Sequence, residues 1–315
     1  MLFLNIRRRG LIIGVILILL FVSVPTAYKI IVAHESKSIP KPEKTKEEPS
    51  PYGEFLRWEE VNTIFPKYSK ATVIDFETGL QFHVQRRAGK YHADVQPLAS
   101  EDSSVMKMIY DGSWSWKRKA VIVKLDNGRR IAASMNGMPH GAGAIRGNNF
   151  NGHFCIHFRD SKIHASREIN MDHQIMIWKA ANKVDEQLFS LPPRSVVNVF
   201  FSAVAQNDGY IAGKAIDNQS EYAVSLLDGI NDIKSARLCG IKDKNQNSFD
   251  VDVWLVYEGS DKEYRKKFSI NMIKKQNLGW KIDPRTLLPL IEKDVWVESR
   301  QYDEFMEEDP EFDEL

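Results

Sequence analysis

Histidine and cysteine are concentrated in one stretch of the chain. Five of the eight histidines lie between positions 140 and 173, and Cys155, one of only two cysteines, lies among them. These histidines are His140, His153, His157, His164 and His173. Imidazole changes charge near neutral pH and is the commonest metal ligand in proteins. The stretch is therefore the first candidate for a catalytic or metal-binding site.

The segment Gly152-His153-Phe154-Cys155-Ile156-His157 is typical of a strand. Alternate side chains of a strand share one face, so we expect His153, Cys155 and His157 to project together. An imidazole beside a thiol can take its proton, and the thiolate then attacks a carbonyl carbon. The Gly- and Asn-rich loop before it, residues 140–152, offers backbone N–H donors for the oxyanion. The pattern predicts cysteine-type acyl transfer.

A zinc site is the alternative interpretation of the same histidines. His92 and Asp94 are two residues apart and could join His153 and His157 as zinc ligands. Zinc held in this way lowers the pKa of a bound water and makes a hydrolase. Cys155 would then be a further ligand or a bystander.

Purely structural roles also fit these residues. Cys155 could be a small buried apolar side chain in a strand. His92 and Asp94 could form a turn in which the carboxylate binds the backbone. His164 and His173 are typical of surface or helix-capping histidines.

The N-terminus predicts a location outside the cytoplasm for most of the chain. Residues 11–32 read LIIGVILILLFVSVPTAYKIIV and follow three arginines in the first ten residues. About 20 such residues span a bilayer as a helix, and the preceding positive charge favours a cytoplasmic N-terminus. We expect residues 1–10 to be a cytoplasmic leader and 11–32 an uncleaved signal anchor of a single-pass cell-membrane protein. A cleaved signal peptide remains the alternative.

Composition excludes other classes. Hydrophobic residues make up 43% and charged residues 27% of the 315 residues, as in ordinary globular proteins. Lys and Arg number 43 and Asp and Glu 42, a net charge of +1, so no general nucleic-acid binder is indicated. Residues 33–54 are charged, rich in proline and typical of a disordered linker.

The first folded part, residues 55–190, is predicted to be mainly strands. Residues 71–98 alternate and turn like a set of strands, and residues 120–125 and 130–134 form a hairpin around Asp126-Asn127-Gly128. Helices are predicted at residues 100–110 and 171–181.

This part resembles the L,D-transpeptidase (YkuD-like) catalytic domain. His140-Gly141 matches the family's upstream His-Gly pair, and residues 152–156 stand for its Ser-His-Gly-Cys motif. The resemblance implies cross-linking or trimming of peptidoglycan stem peptides without a cofactor, with Cys155 as nucleophile, His153 as base and His140 as partner. Phe154 replaces the family's glycine, Gly152 its serine, and His157 stands where arginine is usual.

A second alignment to the same family is also open. Met138-Pro139-His140-Gly141 is similar to the family's Pro-x-Gly turn, and residues 154–157 then match its earlier histidine strand. The cysteine motif would fall at Asp172-His173, where there is no cysteine. Under this alignment the fold is kept and the nucleophile is lost, which leaves a non-catalytic module that binds the wall or a partner.

The second folded part, residues 191–297, begins at Pro192-Pro193 and is predicted to place helices before strands. Helices are expected at 195–206 and 214–228, and strands at 235–242, 248–257, 264–274 and 280–282. The helix VVNVFFSAV, the strand pair at 248–273 and the final Gly-Trp-Lys-Ile-Asp resemble the NTF2-like (cystatin-like) family. That resemblance implies a concave pocket or an interface for a protein partner.

The predicted fold class is α+β: a transmembrane helix, a mainly-β transpeptidase-like domain, and an NTF2-like domain with a curved antiparallel sheet. Residues 298–315 are predicted to be an acidic disordered tail. The predicted function is a membrane-anchored envelope protein of the cysteine transpeptidase or peptidase type. The alternatives are a zinc-dependent peptidoglycan hydrolase and a non-catalytic envelope module.

Overall fold

The computed structural model describes residues 50–163 and 166–302. These residues belong to one compact unit that begins at Ser50. The first half contains the strands β1 (Lys70–Asp75), β2 (Gln81–Ala88), β3 (Ala93–Pro97), β4 (Lys119–Leu125), β5 (Arg130–Met135) and β6 (Phe154–His157), with the helices α1 (Trp58–Ile64) and α2 (Ser100–Ile109).

The second half is helical first and then forms a sheet. Its helices are α3 (Met171–Ala180), α4 (Val184–Ser190), α5 (Pro193–Ala205), α6 (Gly209–Ala215) and α7 (Tyr222–Ile230). Its strands are β7 (Ile233–Asn245), β8 (Ser248–Tyr257), β9 (Lys262–Lys275), β10 (Gly279–Ile282) and β11 (Glu298–Gln301), with a 3₁₀ helix at Pro284–Leu290.

The six strands of the first half close into an antiparallel barrel in the order β1-β2-β3-β6-β5-β4. Closure is made by β1 and β4, in which Val73 lies opposite Val123. In the second sheet the order is β10-β9-β8-β7, and β11 pairs with the start of β9. Successive strands of both sheets pair antiparallel, which is the α+β arrangement.

Alternation along the barrel strands divides them between two hydrophobic clusters. In β4, Val121 and Val123 point into the barrel, whereas Ala120 and Ile122 pack outward with the helices of the second half. In β5, Ala133 points inward and Ala132 outward. Because both faces of these strands are buried, their sequences are almost continuously apolar.

Helix α5 lies at the centre of the outer cluster. Val196, Phe200 and Val204 are buried there together with Leu255 of β8 and Ile282 of β10. Proline at its first position presets the helical backbone. The predicted domain division at residue 191 stays a prediction, and one hydrophobic cluster contains residues from both sides of it.

The predicted fold class was wrong as a description of this chain. The structure is α+β, and its first half is a closed six-stranded barrel. The predicted fold class also included a transmembrane helix, and this part is not borne out. Within the described ranges, no helix has the length and apolar character to cross a bilayer. The longest described helix, α5, has 13 residues, fewer than the about 20 that a bilayer requires. Residues 11–32 and the predicted linker up to residue 49 lie outside the described residues, as do 303–315 of the predicted tail.

Candidate cysteine and histidine site

Strand pairing places the reactive side chains on the outer face of the barrel. Asp94 of β3 lies opposite Cys155 of β6, and Ser134 of β5 lies opposite His157. Directly opposed residues of an antiparallel pair project to the same face. The intervening Phe154 belongs to the barrel core. The outer face of β3, β6 and β5 therefore carries a polar patch, which is buried.

The thiol of Cys155 lies 3.2 Å from Nε2 of His140. On the other side of that ring, Nδ1 lies 2.9 Å from the carbonyl oxygen of Met138. A carbonyl only accepts hydrogen bonds, so Nδ1 carries the proton and the neutral ring presents its Nε2 lone pair to sulfur. This is the arrangement of a nucleophile with its base.

A second imidazole borders the thiol. The ring of His153 lies edge-on to that of His140, with 4.6 Å between centroids, and its Nδ1 donates to the carbonyl of Ala142 over 3.0 Å. One ligand atom each from His140, His153 and Cys155 lies within 4.8 Å of the others. The ring of Trp116 covers His140 at 5.2 Å. We call His140 and His153 the outer histidines, because both are partly exposed.

The loop between the outer histidines is held by one buried side chain. Gln96 of β3 donates to the carbonyl of Gly152 over 2.7 Å, and its Oε1 accepts the N–H groups of Ala144 at 2.7 Å and Ile145 at 3.1 Å. Gln96 is only 1% exposed, whereas most of residues 141–147 are exposed. The barrel wall thereby fixes an exposed loop beside a buried thiol.

Three further histidines form a stacked column beside Cys155. The rings of His92 and His157 are 4.3 Å apart, and those of His157 and His173 are 3.7 Å apart and nearly parallel, at 8°. All three are fully buried. At one end His92 Nε2 lies 3.2 Å from a carboxylate oxygen of Asp94, and at the other His173 Nδ1 lies 2.9 Å from the hydroxyl of Ser134. We call His92, His157 and His173 the inner histidines.

The predicted catalytic residues thus lie around one atom, the sulfur of Cys155. Cys155, His140 and His153 meet in the outer group, and His157 lies on the inner side. Of the predicted zinc ligands, His92 and His157 group with Cys155, whereas His153 groups with His140. His164 lies outside the described residues.

Two residues of the site were not anticipated. His173 was expected at the surface or as a cap, but it is fully buried at the start of α3 and stacks on His157. The capping side chain there is Asn170, which accepts the backbone N–H of His173. Gln96 carried no signal, because a single amide in an alternating strand does not show which loop will reach it.

A groove on the second sheet is separate from this site. A groove of about 650 Å³ opens over β7, β8 and β9, and its lining residues include none of the histidines or Cys155. Charges of both signs line it, among them Lys242, Asp250, Asp252 and Lys267.

No protein-family model, no curated protein and no solved structure matches the chain. The L,D-transpeptidase and NTF2-like resemblances therefore stay predictions from the sequence.

Proposed function

We propose that the chain is a cysteine acyltransferase or peptidase that acts on an amide bond of peptidoglycan stem peptides. The observation that carries the proposal is the 3.2 Å contact between Cys155 Sγ and His140 Nε2, with His140 oriented by the carbonyl of Met138. Geometry of this kind is what nucleophilic catalysis by a thiol requires.

The reaction follows from this pair. His140 Nε2 takes the proton of the Cys155 thiol, and sulfur attacks the carbonyl carbon of the substrate amide. The imidazolium then returns the proton to the leaving amine as the carbon–nitrogen bond breaks, leaving a thioester on Cys155. A second amine (transpeptidation) or a water (hydrolysis) then attacks the thioester carbon and loses one proton to His140. The carbon–sulfur bond breaks, and His140 returns that proton to the sulfur of Cys155.

Geometry favours His140 rather than His153 as the base. The resemblance to L,D-transpeptidases implies His153 as the base, but the sulfur contact of 3.2 Å is made by His140. His153 is the positioning residue in this proposal, because its backbone holds that of His140 and its ring packs against the ring of His140.

Substrate has to reach a buried sulfur. Cys155 is 0% exposed, yet the side chains next to it in the outer group are partly exposed imidazoles, and residues 141–147 are mostly exposed. In this proposal the substrate reaches the sulfur past this loop. The choice of stem peptides rests on the resemblance of His140-Gly141 and residues 152–156 to the L,D-transpeptidase motifs.

The proposed location is the cell envelope, outside the cytoplasm. It rests on the three arginines and the apolar residues 11–32, which lie outside the described residues. Protease treatment of cells tests this location. Digestion of the globular part while the cytoplasmic membrane is still intact supports it. Digestion only after the cytoplasmic membrane is ruptured contradicts it.

We do not adopt catalytic zinc, which the sequence left as an alternative. A catalytic zinc site keeps one position open for water. The inner side chains of His92, Asp94 and His157 are buried, and His153 lies with the outer group.

Turnover by the full-length protein tests the proposal. Wild-type protein, Cys155→Ala and Cys239→Ala are incubated with disaccharide tetrapeptides, and products are identified by mass spectrometry. We expect exchange or hydrolysis by wild type and Cys239→Ala, and a loss of at least a hundredfold in Cys155→Ala. Undiminished turnover by Cys155→Ala would overturn the proposal, and wall binding without turnover would favour a non-catalytic module.

A further inference from the structure

The inner side of Cys155 carries a compact set of soft and nitrogen ligands. One ligand atom each from His92, Cys155 and His157 lies within 4.8 Å of the others, and all three residues are 0% exposed. Zinc binds imidazole nitrogen and cysteine sulfur at about 2.0 to 2.3 Å. A tetrahedral site of these dimensions needs ligand atoms about 3.5 Å apart, so binding requires a contraction of roughly 1 Å. It also requires the stacked rings of His92 and His157 to turn so that both nitrogen lone pairs point at the ion.

Asp94 lies outside that three-residue group but touches His92, and it is the candidate for a fourth ligand and for the matching charge. His92 Nδ1 donates to the carbonyl of Lys162 over 2.8 Å, so a neutral His92 ring presents its Nε2 lone pair to Asp94. That nitrogen is 3.2 Å from the carboxylate oxygen, and two lone pairs at this distance repel unless a proton or a cation lies between them. The carboxylate of Asp94 and the thiolate of Cys155 together match the charge of a divalent ion.

The hydrogen bond on the second ring nitrogen of His92 and the stacking of His157 resemble the contacts that hold metal ligands in place. A ligating histidine ordinarily donates its other ring N–H to a carbonyl or carboxylate, as His92 does to Lys162. The ring of His157 is fixed between those of His92 and His173. Buried and fixed ligands with no exposed member are typical of a closed zinc site rather than of one that binds substrate.

We propose that the inner group of His92, Asp94, Cys155 and His157 binds a zinc ion, and that the bound ion keeps the thiol from reacting. Zinc replaces the thiol proton, which leaves to solvent, and forms a sulfur–zinc bond. His140 then has no thiol proton to take. Metal binding does not depend on the proposed acyl transfer, but the silencing of turnover rests on it.

Cobalt(II) is the probe, because it reports a bound thiolate in its absorption spectrum. Metal-free full-length protein is titrated with cobalt after long incubation, since the ligands are buried. We expect one cobalt per chain, a thiolate-to-cobalt charge-transfer band and the intense visible bands of tetrahedral coordination. Equimolar zinc should displace them.

Matched variants separate the inner group from the outer one. Cys155→Ser should abolish the charge-transfer band, and His157→Asn should weaken cobalt affinity at least tenfold. His153→Asn, which alters only the outer histidines, should leave affinity within threefold of wild type. A band that survives His157→Asn but is lost in His153→Asn would overturn the proposal, as would a spectrum without a thiolate band in wild type.

Thiol protection gives a second test that needs no inner-group variant. Zinc should slow alkylation of Cys155 at least tenfold without changing that of the exposed Cys239, and a chelator should reverse the effect. Equal rates with and without zinc would contradict the proposal even if His157→Asn fails to fold. If the protein binds cobalt but the metal-free protein shows no turnover, the metal site is supported and the proposed acyltransferase activity is contradicted.

Discussion

His140 and His153 are joined by a reciprocal backbone bridge. The N–H of His140 donates to the carbonyl of His153 over 2.9 Å, and the N–H of His153 donates to the carbonyl of His140 over 2.8 Å. The residues are thirteen positions apart, and this bridge closes the loop between them. It sets both imidazoles beside Cys155, so the thiol–imidazole contact depends on backbone geometry as well as on side chains.

Gly152→Ala tests the bridge. Gly152 has φ +122°, and an added Cβ would lie 2.4 Å from the carbonyl oxygen of His140. We expect a loss of about 1 to 3 kcal/mol in the free energy of unfolding. The rate of Cys155 alkylation should also change at least tenfold, measured by peptide mass spectrometry.

Gly147→Ala is the control for that variant. Gly147 also has a positive φ, +76°, but nothing lies within 4 Å of an added Cβ. It should lose about 1 to 2 kcal/mol from backbone strain and keep wild-type alkylation of Cys155. Equal alkylation in Gly152→Ala and Gly147→Ala would show that the bridge does not govern the thiol.

Gln96→Leu tests the support of the exposed loop. The variant removes the acceptor for Ala144 and Ile145 and leaves the buried carbonyl of Gly152 without its donor. We expect about 1 to 3 kcal/mol of destabilisation and faster hydrogen exchange at Ala144 and Ile145.

Gln85→Leu is the matched control, because Gln85 lies opposite Gln96 in the pairing of β2 and β3. Gln85 is half-buried; its amide donates to the carbonyl of Tyr68 and its Oε1 accepts from Arg87. Loss of these contacts should cost about 1 kcal/mol and leave the exchange of Ala144 and Ile145 unchanged. Unchanged exchange of Ala144 and Ile145 in Gln96→Leu would refute the role of Gln96.

Lys266 predicts a pH dependence of stability. Its Nζ is buried beside the carbonyls of Pro289 and Glu292, and burial lowers the pKa of Lys266 to about 8. An unfolded lysine has a pKa of about 10.4. Between these values the unfolded chain binds more protons, so Lys266 makes stability rise with pH, by up to about 3 kcal/mol.

Urea unfolding at pH 7, 8, 9 and 10 checks this for wild type and Lys266→Met. The difference in free energy of unfolding between them should shift in favour of wild type as pH rises. Lys267→Met, at the exposed neighbouring position, should show no such trend relative to wild type. A difference that is the same at all four pH values would refute the assignment.

Local patterns predicted most elements of the fold. β8 has the bounds expected from its alternation, Ser248–Tyr257, and α3 ends within one residue of the prediction. The expected helix at 214–228 is two helices, Gly209–Ala215 and Tyr222–Ile230. Between them the backbone of Ile216 is extended and forms a β-bridge with Ile282, so the helix ends at Ala215.

Barrel closure and the inner histidines depend on pairings between distant strands. The pattern at His92-Ala93-Asp94 indicates a turn as readily as a strand, but β3 begins at Ala93 and pairs with β6, which brings Asp94 beside Cys155. His173 joins the column from a helix that follows β5 by more than 30 residues. Local periodicity carries no information on such a contact. The sequence therefore indicated the cysteine, the outer histidines, and His92 and His157 as alternative zinc ligands, but not the stacking of these two with His173.

Alkylation of Cys155 as a function of pH tests the central claim most directly. Cys239 is exposed and serves as an internal reference in the same molecule. Iodoacetamide labelling of metal-free full-length protein is followed at both cysteines in wild type and His140→Asn. The account predicts that Cys155 reacts faster than Cys239 at pH 6, and that His140→Asn abolishes this advantage without changing Cys239. A Cys155 profile that is identical in the two proteins, or a thiol that stays unreactive in folded wild type, would contradict it.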